Sequence, residues 1–142
     1  MRTAGALFVA MLAVTAVSCT SIRPVTITAG EQCFRCRRTI ADARLAAEQI
    51  TGFVEKFRTP GCLAKYVVNN PVDKGPIFAT YYTTGTMMDA NAAFFVPIVV
   101  DDYTGERDYR AYALKADADA AAAELKATPI GWTAVLDKAR GS

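Results

Sequence analysis

The chain has 142 residues, 52% of them hydrophobic, with 16 basic and 14 acidic side chains, a formal net charge of +2 and no histidine. That near balance gives no steering field for nucleic acid, and no basic stripe with interleaved aromatics is present. Without histidine, Ser–His and Cys–His nucleophile pairs are excluded, so any chemistry rests on sulfur, carboxylate or backbone.

In chain order, residues 1–18 read as a lipoprotein signal peptide. Arg2 is the only charge before an apolar run from Ala4 to Val17, which has the length of a signal-peptide core and is short for a transmembrane span. The run ends in Ala16-Val17-Ser18-Cys19, small residues followed by a cysteine. This resembles the lipobox of bacterial lipoproteins, with Ala16 where leucine is usual, and implies cleavage before Cys19 and lipid attachment to it. A plain secretory leader with a chance cysteine is the alternative. Thr20 places no negative charge beside the anchor, which by the same resemblance favours the outer membrane. Residues 19–24 then form a lipid-anchored tether, and 25–142 a single domain large enough to bury a core.

Val25-Thr26-Ile27-Thr28 is β-branched and predicts a strand. Gly30 leads into the turn Cys33-Phe34-Arg35-Cys36. Ala43 to Ile50 is ambiguous by composition. Thr51-Gly52 is a turn signal, and Phe53, Val54 and Phe57 give a second short strand, so that the pair reads as a hairpin. Thr59-Pro60 is a helix start, threonine as cap and proline in the first helical position, with Leu63, Tyr66 and Val67 as the apolar stripe. The helix is expected to stop near Asn69-Asn70-Pro71.

Ile77 to Tyr82 predicts a strand, Thr84-Gly85 a turn, and Met87 to Val100 further strand. Asp102 to Gly105 is another turn, with a strand over Arg107 to Leu114. Ala118 to Leu125 is alanine-rich and helical, with Asp117 as its cap. A last helix is expected over Thr133 to Ala139, with Trp132 packing at its start. The Thr-Gly turns at 51–52 and 104–105 are each followed by a strand and a helix. The expected fold is therefore α+β, two strand–strand–helix units with an antiparallel sheet.

Three cysteines remain in the domain, and three is an odd number for a purely structural disulfide scaffold in the oxidising compartment that export implies. A Cys-x-x-Cys turn serves metal chelation, dithiol–disulfide exchange or a structural bond. Arg35, Arg37 and Arg38 surround Cys33 and Cys36, with no carboxylate between Glu31 and Asp42, and nearby cations favour thiolate; the alternative is that they are solvated surface charge. Cys62 falls on the third residue of its helix, where unpaired N–H groups also favour thiolate. It reads either as a ligand or as a small buried hydrophobe. Two close thiols, a third and no histidine leave a zinc site one ligand short, whereas Cu(I) accepts soft thiolate and thioether ligands. Met87 or Met88 is a candidate thioether, and core filler is the alternative. Asp89, Asp101 and Asp102 read as turn or strand-end residues, and no phosphate loop is present.

Taken in order, several segments resemble the NosL family, lipoproteins that assist assembly of nitrous oxide reductase. They are the lipobox at Cys19, the turn from Cys33 to Cys36, Ala43-Arg-Leu-Ala-Ala-Glu-Gln, and Phe57-Arg-Thr-Pro-Gly-Cys62-Leu-Ala-Lys-Tyr66. Tyr82-Thr-Thr-Gly-Thr-Met-Met-Asp-Ala90, Phe94-Phe-Val and Gly131-Trp132 complete the series. The resemblance implies an α+β domain at the periplasmic face of the envelope, with a Cu(I) site. It also implies delivery of copper to a receiving metalloenzyme, nitrous oxide reductase or its assembly proteins, with no turnover of its own. The family's turn usually continues Cys-x-x-Cys-x-Met, and here Arg38 stands at the methionine position. An arginine cannot bind copper, so Cys62 or a methionine from the second half has to complete the site. The expected ligands are Cys33, Cys36 and Cys62. Two other readings use the same thiols: a dithiol oxidoreductase working through Cys33 and Cys36, and a structural envelope lipoprotein.

Overall fold

The computed structural model describes residues 21–142. The signal peptide expected over 1–18 and the lipid attachment expected at Cys19 lie outside the described residues. Ser21 to Thr28 joins no strand, which corrects the strand expected over Val25–Thr28. The Val25 N–H donates to Glu48 Oε1 at 2.8 Å, and Ile27 is buried against Ile40 and Ala46. The segment is thus held by a side-chain acceptor and by packing, and its β-branched composition finds no ladder partner.

The ambiguous stretch resolves into a one-turn 3-10 helix, Ala43–Leu45, capped by Asp42, followed by strand β1, Ala47–Ile50. Strand β2, Val54–Phe57, pairs antiparallel with β1, Ala47 opposite Phe57, so the hairpin forms around Thr51-Gly52. Helix α1, Pro60–Asn69, starts where Thr59-Pro60 says it should: Thr59 Oγ1 accepts from the Cys62 N–H at 3.2 Å, a cap that stabilises the helix by about 1 kcal/mol. It ends before Pro71, as expected.

Strands β3, Ile77–Thr80, and β4, Met87–Asp89, complete a four-stranded antiparallel sheet in the order β2-β1-β3-β4. The expected long strand from Met87 breaks here, because Asp89 Oδ1 accepts from the Asn91 N–H at 2.9 Å and starts a 3-10 turn over Ala90–Ala92. Strands β5, Phe94–Asp101, and β6, Glu106–Tyr112, form a separate hairpin. It touches the larger sheet where the Tyr82 N–H donates to the Ala111 carbonyl at 2.8 Å. Helix α2, Lys115–Leu125, begins a turn earlier than expected; Leu114 stands at the cap position and Asp117 lies in the first turn, bonded to the Tyr81 hydroxyl. Helix α3, Trp132–Arg140, closes the chain.

The domain is α+β and contains the two expected strand–strand–helix units, β1-β2-α1 and β5-β6-α2. The main core lies where α1 packs on α3, β1 and β6. It is filled by Phe57, Leu63, Phe95, Trp132 and Val135, and it includes Cys33 and Cys62. A smaller cluster of Val96, Tyr112, Ala118 and Ala122 lies under α2.

The loop from α1 to β3 crosses β1 with no room to spare. A Cβ on Gly75 would lie 2.0 Å from the Ile50 carbonyl oxygen, and backbone cannot move aside as a flexible side chain can. Gly75→Ala is therefore expected to lower stability by about 2 kcal/mol or more, read from the urea midpoint at unchanged slope. A loss below about 0.5 kcal/mol would show that the loop relaxes freely.

Candidate metal centre

The Cys-x-x-Cys bend sits at the end of a short ladder in which Gln32 bridges Thr39. The Cys33 N–H donates to the Arg38 carbonyl at 2.9 Å, and the Arg37 N–H returns to the Cys33 carbonyl at 3.0 Å. Closing so tight a loop puts Arg37 at φ +62°, a left-handed conformation that costs a non-glycine residue about 1 kcal/mol. The bend is fastened to β2 by the Phe34 N–H, which donates to the Lys56 carbonyl at 2.7 Å. The Phe34 ring stands edge-on to Phe57 and Tyr66, with centroids 6.1 and 5.5 Å away. Arg37 covers its other side at 5.6 Å. One residue between the two cysteines thus anchors both of them to the core.

A second fastening lies upstream. Glu31 accepts from the Thr28 N–H at 2.8 Å and the Thr28 hydroxyl at 2.9 Å, and forms an ion pair with Lys56. The Lys56 hydrogen bond, then the Thr28 N–H, hold its carboxyl down at about 2.

Cys62 arrives from the opposite side on the first turn of α1, and its position is set by a carboxylate. Asp108, buried on β6, accepts from Thr59 Oγ1 at 2.6 Å, from the Gly61 N–H at 2.8 Å and from its neighbour's Tyr109 N–H at 2.9 Å. Burial pushes its carboxyl up and the three donors work against that. A Cβ at Gly61 would meet Asp108 Oδ2 at 2.6 Å, so the glycine is what lets the carboxylate approach the helix tip.

These two supports bring the three sulfurs together. The Sγ atoms of Cys33, Cys36 and Cys62 all lie within 4.8 Å of one another, and none is in a disulfide. The group is able to hold a metal ion. Around a trigonal centre with metal–thiolate bonds of about 2.3 Å, sulfurs sit about 4.0 Å apart; Cys62 Sγ and Cys36 Sγ are 3.9 Å apart. Cys33 is fully buried, Cys62 nearly so and Cys36 half-exposed. The Cys62 thiol donates to Cys36 Sγ. The nearby Cys62 thiol, then the backbone N–H groups of Cys36 and Arg58, lower the Cys33 thiol against the effect of burial, while the proximity of Cys33 and burial raise Cys62.

Cys36 and Cys62 form the floor of a cleft of about 360 Å³. The expected cations divide into different tasks. Arg38 is paired to Glu106 at 3.0 Å, and Arg58, which the sequence reading passed over, pairs with the same carboxylate. Burial works against the Arg58 charge, but Glu106, with Cys62 and Cys36, outweighs it and raises the guanidinium. Neither methionine lines the cleft: Met87 packs on the cluster of Ile27, Ile40 and Ala46, and Met88 on the main core. Phe34, Arg58, Glu106 and Asp108 are the site residues that sequence reasoning missed. Only Phe34 carried a signal, as an aromatic inside the motif itself.

Removing Asp108 leaves three donors unanswered, two at the helix tip and the Tyr109 N–H on β6. Asp108→Ala is expected to cost about 2–3 kcal/mol in chemical denaturation, and Asp108→Asn less; equal stability of Asp108→Ala and wild type would contradict this role. Glu31 gives a pH test. Its depressed pKa means the pair with Lys56 stabilises the fold above the ordinary 4.5 and is lost as pH falls towards about 2. The groups are partly exposed, so the contribution is about 1 kcal/mol. Glu31→Gln should be less stable than wild type at neutral pH and equal to it at the acid end of that window; a constant gap across the window would refute the assignment. A scan against models of protein families found no match to the chain, and neither did a search of curated proteins.

Proposed function

We propose that this chain is a copper carrier without turnover of its own, binding Cu(I) through Cys33, Cys36 and Cys62 and passing it to an envelope metalloenzyme. The observation that carries the reading is the convergence of three sulfurs, all within 4.8 Å of one another, from a tight bend and a helix tip. The ligand set is all sulfur, which suits a soft monovalent ion and leaves zinc one ligand short. Cys36 is half-exposed while Cys33 is buried, so an incoming ligand reaches Cys36 first and displaces the sulfurs one at a time. The resemblance to NosL lipoproteins supports nitrous oxide reductase or its assembly proteins as the receiver. It also supports a lipid anchor at Cys19 on the periplasmic face of the envelope, the outer membrane favoured.

A dithiol oxidoreductase at the same pair fits less well. The chain after Cys36 continues as turn and extended backbone rather than as a helix starting at the motif, and Cys33 is buried from an approaching disulfide.

Anaerobic loading followed by native mass spectrometry should show one Cu(I) per chain. Cys33→Ser/Cys36→Ser is expected to lose it, and Cys62→Ser to weaken binding by about ten-fold or more. Full copper retention in the double variant would rule the site out, and undiminished affinity in Cys62→Ser would reduce it to two sulfurs.

A further inference from the structure

The cleft above the thiols is far more cationic than the chain as a whole. The described chain is nearly balanced, yet six basic side chains line this cleft, Arg35, Arg38, Arg58, Lys65, Arg107 and Lys138, against two acidic ones, Glu106 and Asp108. Both acids are already engaged, Glu106 by Arg38 and Arg58, and Asp108 by the helix tip. Among the described residues, Arg35, Lys65, Arg107 and Lys138 take part in no ion pair. Arg58 lines the same cleft as Cys36 and Cys62, and its Nε is buried without a hydrogen-bond partner. Four further cations line the cleft outside any ion pair among the described residues.

We infer that this cleft is a binding site for a small anionic thiol that carries the metal, and that copper enters as that carrier's complex. The inference rests on the copper reading above and adds the chemical form in which the metal arrives. The size of the cleft, about 360 Å³, is that of a small-molecule pocket and would admit a carboxylate-bearing thiol above Cys36 and Cys62. Field lines converging in a concave, cationic site raise the local concentration of anions and their rate of arrival. Carboxylates on the carrier would meet Arg35, Arg107, Lys65 and Lys138 while its Cu–S bonds lie over the half-exposed Cys36. Transfer is then ligand exchange. A Cu–S bond to Cys36 forms as one to the carrier breaks, and the proton of the Cys36 thiol passes to the departing carrier thiolate. Cys62 replaces the second carrier sulfur in the same way. Cys33 joins as the third ligand, giving any proton it holds to water. Copper stays Cu(I) throughout and no electron moves.

The test compares anaerobic loading of the full domain from Cu(I) complexes of three thiols: glutathione, which carries carboxylates, neutral 2-mercaptoethanol, and cationic 2-aminoethanethiol. Copper per chain is counted by native mass spectrometry at successive quench times. Loading from the glutathione complex is expected to be about ten-fold or more faster than from the cationic one, with the ratio shrinking as salt is raised. Lys65→Glu/Lys138→Glu, two partly or fully exposed positions, should abolish or invert the preference. Because the salt series uses the wild-type chain, the outcome does not hinge on how that variant folds. Equal rates from all three carriers, ending in one copper per chain, would overturn the anionic-carrier inference and leave the metal site standing. No copper from any carrier would overturn the metal reading, and the inference with it.

Discussion

The Asp108 carboxylate, carried by β6 into the first turn of α1, accepts from Thr59 Oγ1 and the Gly61 N–H, while Thr59 in turn caps the Cys62 N–H. Without that buried acceptor the helix tip would have two unanswered donors and no fixed distance from β6. With it, the strand dictates where the Cys62 sulfur stands. The cost of burying a carboxylate is only partly offset by its hydrogen bonds to the helix N-terminus and by the helix dipole, and burial still raises its pKa. The opposite wall of the site is set independently. Phe34 packs edge-on against Phe57 and Tyr66, and its N–H ties the bend to β2, so the bend and the helix tip are each fastened to the core.

A centre assembled in this way is rigid in two of its sulfurs and accessible at the third. Cys33 and Cys62 belong to the hydrophobic core, where thiols normally behave as small inert side chains. Here they stand with Cys36 within 4.8 Å of one another, close enough to share a metal ion. Arg58 lies beside them. Arg38 pairs with Glu106 and forms part of the cleft wall.

Local chemistry made much of this legible in advance. The Thr59-Pro60 start fixed α1 and put Cys62 on its third residue, and the Thr-Gly turns marked both hairpins. The unit structure and the three candidate ligands followed from those signals. Other features depend on contacts between distant segments and leave no local trace. Val25 to Thr28 has strand composition but its neighbour is the Glu48 side chain. Met87 to Val100 reads as continuous strand, and a single Asx turn at Asp89 breaks it. Asp108 looks like any acidic residue in the polar run of β6, and only the docking of α1 onto that strand reveals what it does. Arg58 and Glu106 meet across 48 residues of sequence, which no spacing rule anticipates.

The account depends on one metal bound by three sulfurs of a single chain. X-ray absorption fine structure of the anaerobically loaded, monomeric Cu(I) protein measures that shell directly. It should fit three sulfur scatterers at about 2.3 Å and no lighter ligand. A shell of two sulfurs, or one containing nitrogen or oxygen, would contradict it.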